Sequence, residues 1–193
     1  MTYPMRVLHI ITTINRGGAE NHLYSLVEEQ KKLGLDVSVA YLKGDGYWLE
    51  RYRGLGVDVT NLEMKYYGDI FPLLRLRRLM VSLKPDIVHA HMPPAELYVR
   101  FALLMGSFSN KIPFIISKHN DEPFMKGHGA NMLARWVAKR AEHVIAISSA
   151  VKRYFVEQKI VKDHDITIVH YGINRSTSSF LTFFSAFCIF SIK

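Results

Sequence analysis

A doubly wound α/β domain built on a parallel sheet is what this chain predicts, and three observations predict it. Short β-branched runs alternate with segments of helical period from about residue 6 to residue 170. Two of those runs, Ile87-Val88 and Phe114-Ile115-Ile116, are continuously apolar, as strands are when helices cover both faces of a parallel sheet. Capping and stop residues also fall where the periodic segments begin and end. Strict alternation of strand and helix implies right-handed crossovers, and so helices on both sides of one sheet.

The elements follow in order. A strand is expected over Arg6–Thr12, then a helix over Ala19–Leu33 in which Leu23, Leu26, Val27 and Leu33 recur at helical spacing. Gly34 stands where a left-handed cap is wanted. Strands at Val37–Leu42 and Val57–Leu62 flank a helix at Tyr47–Leu55. A third helix, Ile70–Leu83, is stopped by Pro85, and the strand Ile87–His91 leads into a helix at Ala95–Met105. Strands at Phe114–Lys118, His143–Ile147 and Ile166–His170 alternate with helices at Asn131–Ala141 and Ser148–Gln158, the latter with Ser148 as its N-cap.

Composition narrows the function. With 193 residues, 49% of them apolar and 22% charged, the chain can hold one full domain or half of a larger enzyme, and it is not disordered. Net charge is +8, with basic clusters at Arg75, Arg77 and Arg78, at Arg51 and Arg53, and at Lys139 and Arg140. No DNA-reading motif or aromatic-interleaved basic strand accompanies them, which disfavours nucleic acid. A phosphate-bearing ligand or an anionic membrane surface fits the charge as well or better. The one cysteine, Cys188, cannot form an internal disulfide, so a reducing cytoplasm is the setting expected. Met1–Arg6 lacks the layout of a signal peptide, and no run of 18 or more apolar residues marks a spanning helix.

Ligands of such sheets bind at the carboxyl ends of the strands. Ile14-Asn15-Arg16-Gly17-Gly18-Ala19-Glu20-Asn21 follows the first strand and opens the first helix. Two glycines there let backbone N–H groups approach an anionic or polyhydroxyl ligand, and the helix end adds partial positive charge. A tight turn without a ligand is the alternative. His89-Ala90-His91-Met92-Pro93-Pro94 follows the fourth strand, Lys118-His119-Asn120-Asp121-Glu122-Pro123 the fifth, and His170-Tyr171-Gly172-Ile173-Asn174 the seventh. His89 and His91, two apart on a strand, face the same way. A metal site would need further ligands, with His119 or His128 as candidates, and no tight motif supplies them, so the reading is no metal and hydrogen-bonding histidines near a sugar or phosphate. Asp121 and Glu122 are open to either an acid–base or a turn role. The G-x-G-x-x-G, G-x-x-x-x-G-K-[ST] and G-x-S-x-G patterns are all missing, which excludes a dinucleotide fingerprint, a P-loop and a hydrolase elbow.

Five segments in order carry a resemblance: Ile11–Glu20, Lys84–His91, Ser117–Asn120, Ala141–Ser148 and Ile168–Asn174. Together they resemble the N-terminal domain of the GT-B glycosyltransferases of family 4, over about residues 5 to 175. The resemblance implies a Rossmann-like half of a two-domain enzyme. It also implies retaining, metal-independent transfer of a sugar from a nucleotide-sugar donor, which is a co-substrate, with no cofactor. The acceptor implied is a cell-envelope glycan or a lipid-linked sugar. By that resemblance, Gly17 and Gly18 lie near the donor phosphates and His119 contacts the donor sugar as the catalytic-site residue. Glu20, Asn21, His91, Asn120 and Gly172 are expected to line the cleft.

The family's C-terminal domain carries an Arg/Lys pair for the diphosphate and a Glu-x7-Glu motif. Here residues Ser176–Lys193 read as an apolar tail with five phenylalanines that resembles nothing in the family. The domain reading is therefore 1–175 plus a tail, 176–193, expected to be a truncation or frameshift end. The expectation is a chain inactive alone, with the acceptor-binding subunit of a split enzyme, completed by a partner chain carrying the C-terminal domain, as one alternative. A non-catalytic sugar- or nucleotide-binding module and a remnant of a broken gene stay open as alternatives. Arg75, Arg77 and Arg78 beside Leu73, Leu74, Leu76 and Leu79 suggest peripheral contact with an anionic membrane, against the alternative of a solvated basic edge.

Overall fold

The computed structural model describes residues 4–105, 112–120 and 128–170. The chain divides into two compact units, Met1–Pro113 and Phe114–Lys193. The tail at 176–193, Gly172 and the Asp121-Glu122 pair lie outside the described residues.

In the first unit the elements are β1 (Arg6–Ile11), α1 (Gly18–Lys32), β2 (Asp36–Tyr41), α2 (Leu49–Gly54), β3 (Asp58–Asn61), α3 (Phe71–Leu83), β4 (Ile87–His91) and α4 (Pro93–Leu104). The strands lie in the order β3-β2-β1-β4, every pair parallel. Register aligns Val7 with Val37 and Ile87, and His9 with Val39 and His89. Because side chains alternate along a strand, Val7, Ile11, Val37, Val39 and Tyr41 share one face. There they pack with Leu23 and Val27 of α1 and with Trp48, Tyr52 and Val57 around α2. Leu8, Ile10, Val88 and Ala90 point to the other face, on which α4 packs, and all four are fully buried. β3 ends this row of strands; it is four residues long, with Asp58 and Asn61 exposed.

The second unit holds β5 (Phe114–Lys118), α5 (His128–Ala138), β6 (His143–Ala146), α6 (Ser149–Glu157), a 3-10 turn at Asp163–Asp165 and β7 (Ile166–Ile168). Its strands run in the order β5-β6-β7, with β5–β6 and β6–β7 parallel. No described helix is long and apolar enough to cross a membrane.

Every expected element is present, with bounds shifted by up to three residues. α4 starts at Pro93, earlier than the expected Ala95, because Pro93 and Pro94 fit the first turn, where no N–H is needed. β7 stops at Ile168, although Val169 still donates its N–H to the Ala146 carbonyl at 2.8 Å. Gly34 adopts the left-handed conformation expected after α1, at φ 79°. At the end of α3 that role falls to Lys84, at φ 47°, just before Pro85. Ser148 caps α6, its hydroxyl accepting the Val151 N–H at 3.2 Å.

Candidate functional site

The turn from β1 into α1 is shaped by one buried carboxylate. Glu20, 7% exposed in the first turn of α1, accepts a hydrogen bond from the Thr13 hydroxyl at 2.6 Å. Its carboxylate lies over Gly17, so a Cβ at Gly17 would collide with it, whereas a Cβ at Gly18 meets nothing within 4 Å. Gly17 is the extended N-cap and offers no side-chain cap, while its carbonyl accepts the N–H of Asn21 at 3.1 Å. The first N–H groups of α1 thus lack a side-chain cap and stand beside open space at Gly18. A helix N-terminus in that state binds an oxygen-rich ligand, phosphate or hydroxyl. The Glu20 charge offsets part of the positive end, which favours hydroxyls over a bare multiply charged anion.

Neighbouring loops at the same strand ends are stitched to this turn. The Asn15 side-chain carbonyl accepts the Asp45 N–H at 3.1 Å, and the Trp48 N–H donates to the Ile14 carbonyl at 3.1 Å. The Arg16 guanidinium sits 4.5 Å over the Tyr47 ring, and Lys43 Nζ reaches the Tyr67 hydroxyl at 3.1 Å. Around Tyr67 the chain exposes Tyr66, Ile70 and Phe71, each more than half accessible. Met92, closing β4, holds φ 74° and ψ 141°, a region that only glycine occupies freely. Such a backbone costs about 1–3 kcal/mol and clusters at ligand sites.

His91 is fully buried, and what it faces is another histidine. In register, β1 and β4 set His9 beside His89, and His9 Nδ1 lies 3.1 Å from His91 Nε2. On its other side, His9 Nε2 is 2.8 Å from the Gln30 side-chain carbonyl of α1. Burial pushes His9 down to about 4, against the opposing pull of the Gln30 hydrogen bond. The ring is therefore neutral at pH 7. His22, one turn into α1, is likewise lowered to about 4 by burial and by the proximity of His9.

In the second unit, His119 and Asn120 directly follow β5, His119 half-buried and Asn120 exposed. Lys118 beside them is buried, its Nζ 4.9 Å over the Phe155 ring. A cavity of about 590 Å³ also lies in this unit, lined by Arg135, Lys139, Val144, Val156, Ile160 and Lys162 among others. It sits by the amino ends of β6 and β7, away from the carboxyl ends.

The structure brings Gly17, Gly18, Glu20 and Asn21 into one turn and sets His91 in the histidine cluster beneath it. The sequence reading missed Thr13, Gln30 and His9. His9 had a signal: it shares the odd-numbered phase of a strand adjoining His89 and His91, but using it requires knowing that β1 and β4 are neighbours. Of the three clustered arginines, Arg75 bonds the Leu62 carbonyl and the Glu63 carboxylate, both at 2.9 Å, and Arg77 donates to the Met105 carbonyl at 3.0 Å.

Residues 16–177 match the model of the family described as Glycosyltransferase Family 4. No curated protein sequence matches the chain significantly. Among solved structures, HepE from Anabaena in complex with UDP and glucose is similar at TM-score 0.69 and 18% identity. The match covers 96% of this chain and 50% of that one. MurG from Acinetobacter baumannii gives TM-score 0.60 at 14% identity, over 91% and 48% of the two chains. A UDP-N-acetylglucosamine 2-epimerase from Rickettsia bellii gives 0.62 at 13%, over 88% and 45%. The chain thus spans about half the length of these structures.

Proposed function

The chain belongs to glycosyltransferase family 4 and has the Rossmann-like α/β fold of one half of a GT-B enzyme, and from this we propose that it is the acceptor-side half of a retaining, metal-independent sugar transferase. The donor is a nucleotide sugar, the class of ligand carried by the HepE structures with UDP and glucose and with UDP-glucose. The acceptor is a cell-envelope glycan or a lipid-linked sugar. One observation carries the reading: the uncapped amide end of α1 at Gly18, with nothing within 4 Å of where a Cβ would stand.

In this reading the amides of Gly17 and Gly18 receive donor phosphate or sugar oxygens. Thr13 holds Glu20 so that its carboxylate shapes the turn, and Asn21 faces the ligand from the exposed side of α1. By the family resemblance, His119, which follows β5 in the second unit, contacts the donor sugar, with Asn120 beside it in sequence. His91 supports the rim from below. Departure of the nucleotide leaves negative charge on its diphosphate, which preorganised cations and N–H groups must stabilise. The GT-B half that supplies most of those groups is the other one, so the domain of residues 16–177 contributes ligand binding and positioning to the reaction.

Titration calorimetry of the purified chain against UDP-glucose and other nucleotide sugars tests this. At least one nucleotide sugar is expected to bind the native chain, and at least fivefold more weakly to the Gly18→Ala variant. Saturation by no member of the panel, or equal binding by native and variant chains, overturns the ligand assignment.

The exposed aromatic stretch favours an added proposal, that the protein works at the inner face of the cytoplasmic membrane. Tyr66, Tyr67, Ile70 and Phe71 stand out of the surface beside Lys65 on a chain of net charge +8. Aromatic side chains partition to the bilayer interface, and cationic ones are drawn to anionic headgroups. Sedimentation with phosphatidylglycerol vesicles is expected to pull down the native chain at low salt but not a Tyr67→Ser/Phe71→Ser variant. Absence of binding at low salt removes the proposal.

A further inference from the structure

We propose that His9, His89 and His91 form a structural transition-metal site of the Zn2+ class, clamping β1 to β4 beneath the glycine turn. The three side chains are fully buried on the same face of two paired strands. One ring nitrogen from each lies within 4.8 Å of the other two. Ring centroids are 4.1 Å apart for His89 and His91, and 5.1 and 5.3 Å from His9 to each. An imidazole nitrogen binds Zn2+ at about 2.0–2.1 Å, so tetrahedral ligands stand about 3.4 Å apart. The His9–His91 pair, at 3.1 Å, already has that spacing. A pair at 4.8 Å closes by about 1.4 Å to reach that spacing, a shift within the reach of side-chain rotation.

The donor set selects the ion. Three imidazoles with no carboxylate or thiolate suit Zn2+, Co2+, Ni2+ or copper, and reject Mg2+ and Ca2+. Gln30 supplies the outer shell: its side-chain carbonyl accepts the His9 Nε2 proton at 2.8 Å, which leaves the Nδ1 lone pair aimed into the cluster. Metal-binding histidines are held in just this way by a carbonyl on their other nitrogen. Without an ion, the same lone pair accepts the proton of His91 Nε2, and the cluster is a hydrogen-bonded pair plus His89. The three histidines fill three of the four tetrahedral positions and a water the fourth, and with all three rings buried the ion's role is to hold strands and not to act in transfer. The proposal therefore stands apart from the glycosyltransferase reading.

The test uses the full, untagged chain, stripped with chelator and refolded with and without Co2+, because a buried site fills during folding. Expected are one equivalent of Co2+ per chain, an intense visible band of tetrahedral type, bleaching of that band by Zn2+, and a higher Tm. His89→Gln is expected to lose the band, while His164→Ala, at an exposed histidine, keeps it. Gln30→Leu keeps the ligands and is expected to weaken Zn2+ at least tenfold, which serves if His89→Gln does not fold. A folded native chain with no such band, a band that survives in His89→Gln, or undiminished affinity in Gln30→Leu overturns the proposal, whether or not nucleotide sugars bind.

Discussion

A Cβ at Gly17 would run into the Glu20 carboxylate, whereas one at Gly18 meets open space, so the two positions separate packing from ligand approach. Gly17→Ala must push Glu20 off Thr13 and is expected to cost about 1–2 kcal/mol in urea unfolding. Gly18→Ala lies in the first turn of α1 and is expected to leave stability unchanged or raise it by up to about 1 kcal/mol. Tyr52 offers a contrast in the core. Its hydroxyl is buried with no hydrogen-bond partner among the described residues, and burial holds its pKa well above the usual phenol range. Tyr52→Phe removes that unsatisfied group without opening a cavity and is expected to raise stability by about 1 kcal/mol. The sequence showed the Gly-Gly pair and its place after a strand. It could not show which glycine is demanded by a neighbouring side chain, because that depends on the Glu20 rotamer set by Thr13.

Among elements, the helices and strands were legible because their periods, caps and stops agree: Leu23, Leu26 and Val27 on one face of α1, Ser148 before α6, Pro85 after α3. Lateral order was not legible. That β1 lies between β2 and β4 is a tertiary fact, and it makes His9 a neighbour of His89 and His91. An acid limb in stability follows from this burial. Unfolded, His9 titrates near its ordinary 6.5; folded, it resists protonation down to about 4. Between those values the unfolded chain binds a proton that the folded chain does not. Stability is thus full above pH 6.5 and falls as pH drops toward 4, by at most about 3 kcal/mol from this residue. His22 shifts in the same direction. Urea midpoints for the chelator-treated protein at pH 7.5, 5.5 and 4.5 should decline in that order, and a flat profile contradicts the burial of His9.

For the whole molecule, the expectation is that the 193-residue chain, incubated with nucleotide sugars and lipid-linked acceptors, releases no nucleotide above background; clear sugar transfer would refute it. In the first unit the strand ends where a ligand was expected were readable, since Gly17 and His91 fall at the carboxyl ends of β1 and β4. The cross-links that stiffen those ends, Asn15 to Asp45 and Arg16 over Tyr47, were not, since they join loops about 30 residues apart in the chain. β3, the last strand of its row, has a bearing on handling the protein in bulk. A sheet border presents unpaired amides to any passing chain, and long apolar borders recruit copies into fibrils. Here the border is four residues long and carries Asp58, whose charge repels a like strand laid alongside. Asp58→Val should therefore leave the monomer folded yet make it precipitate on concentration, a cheap readout of how this protein stays dispersed.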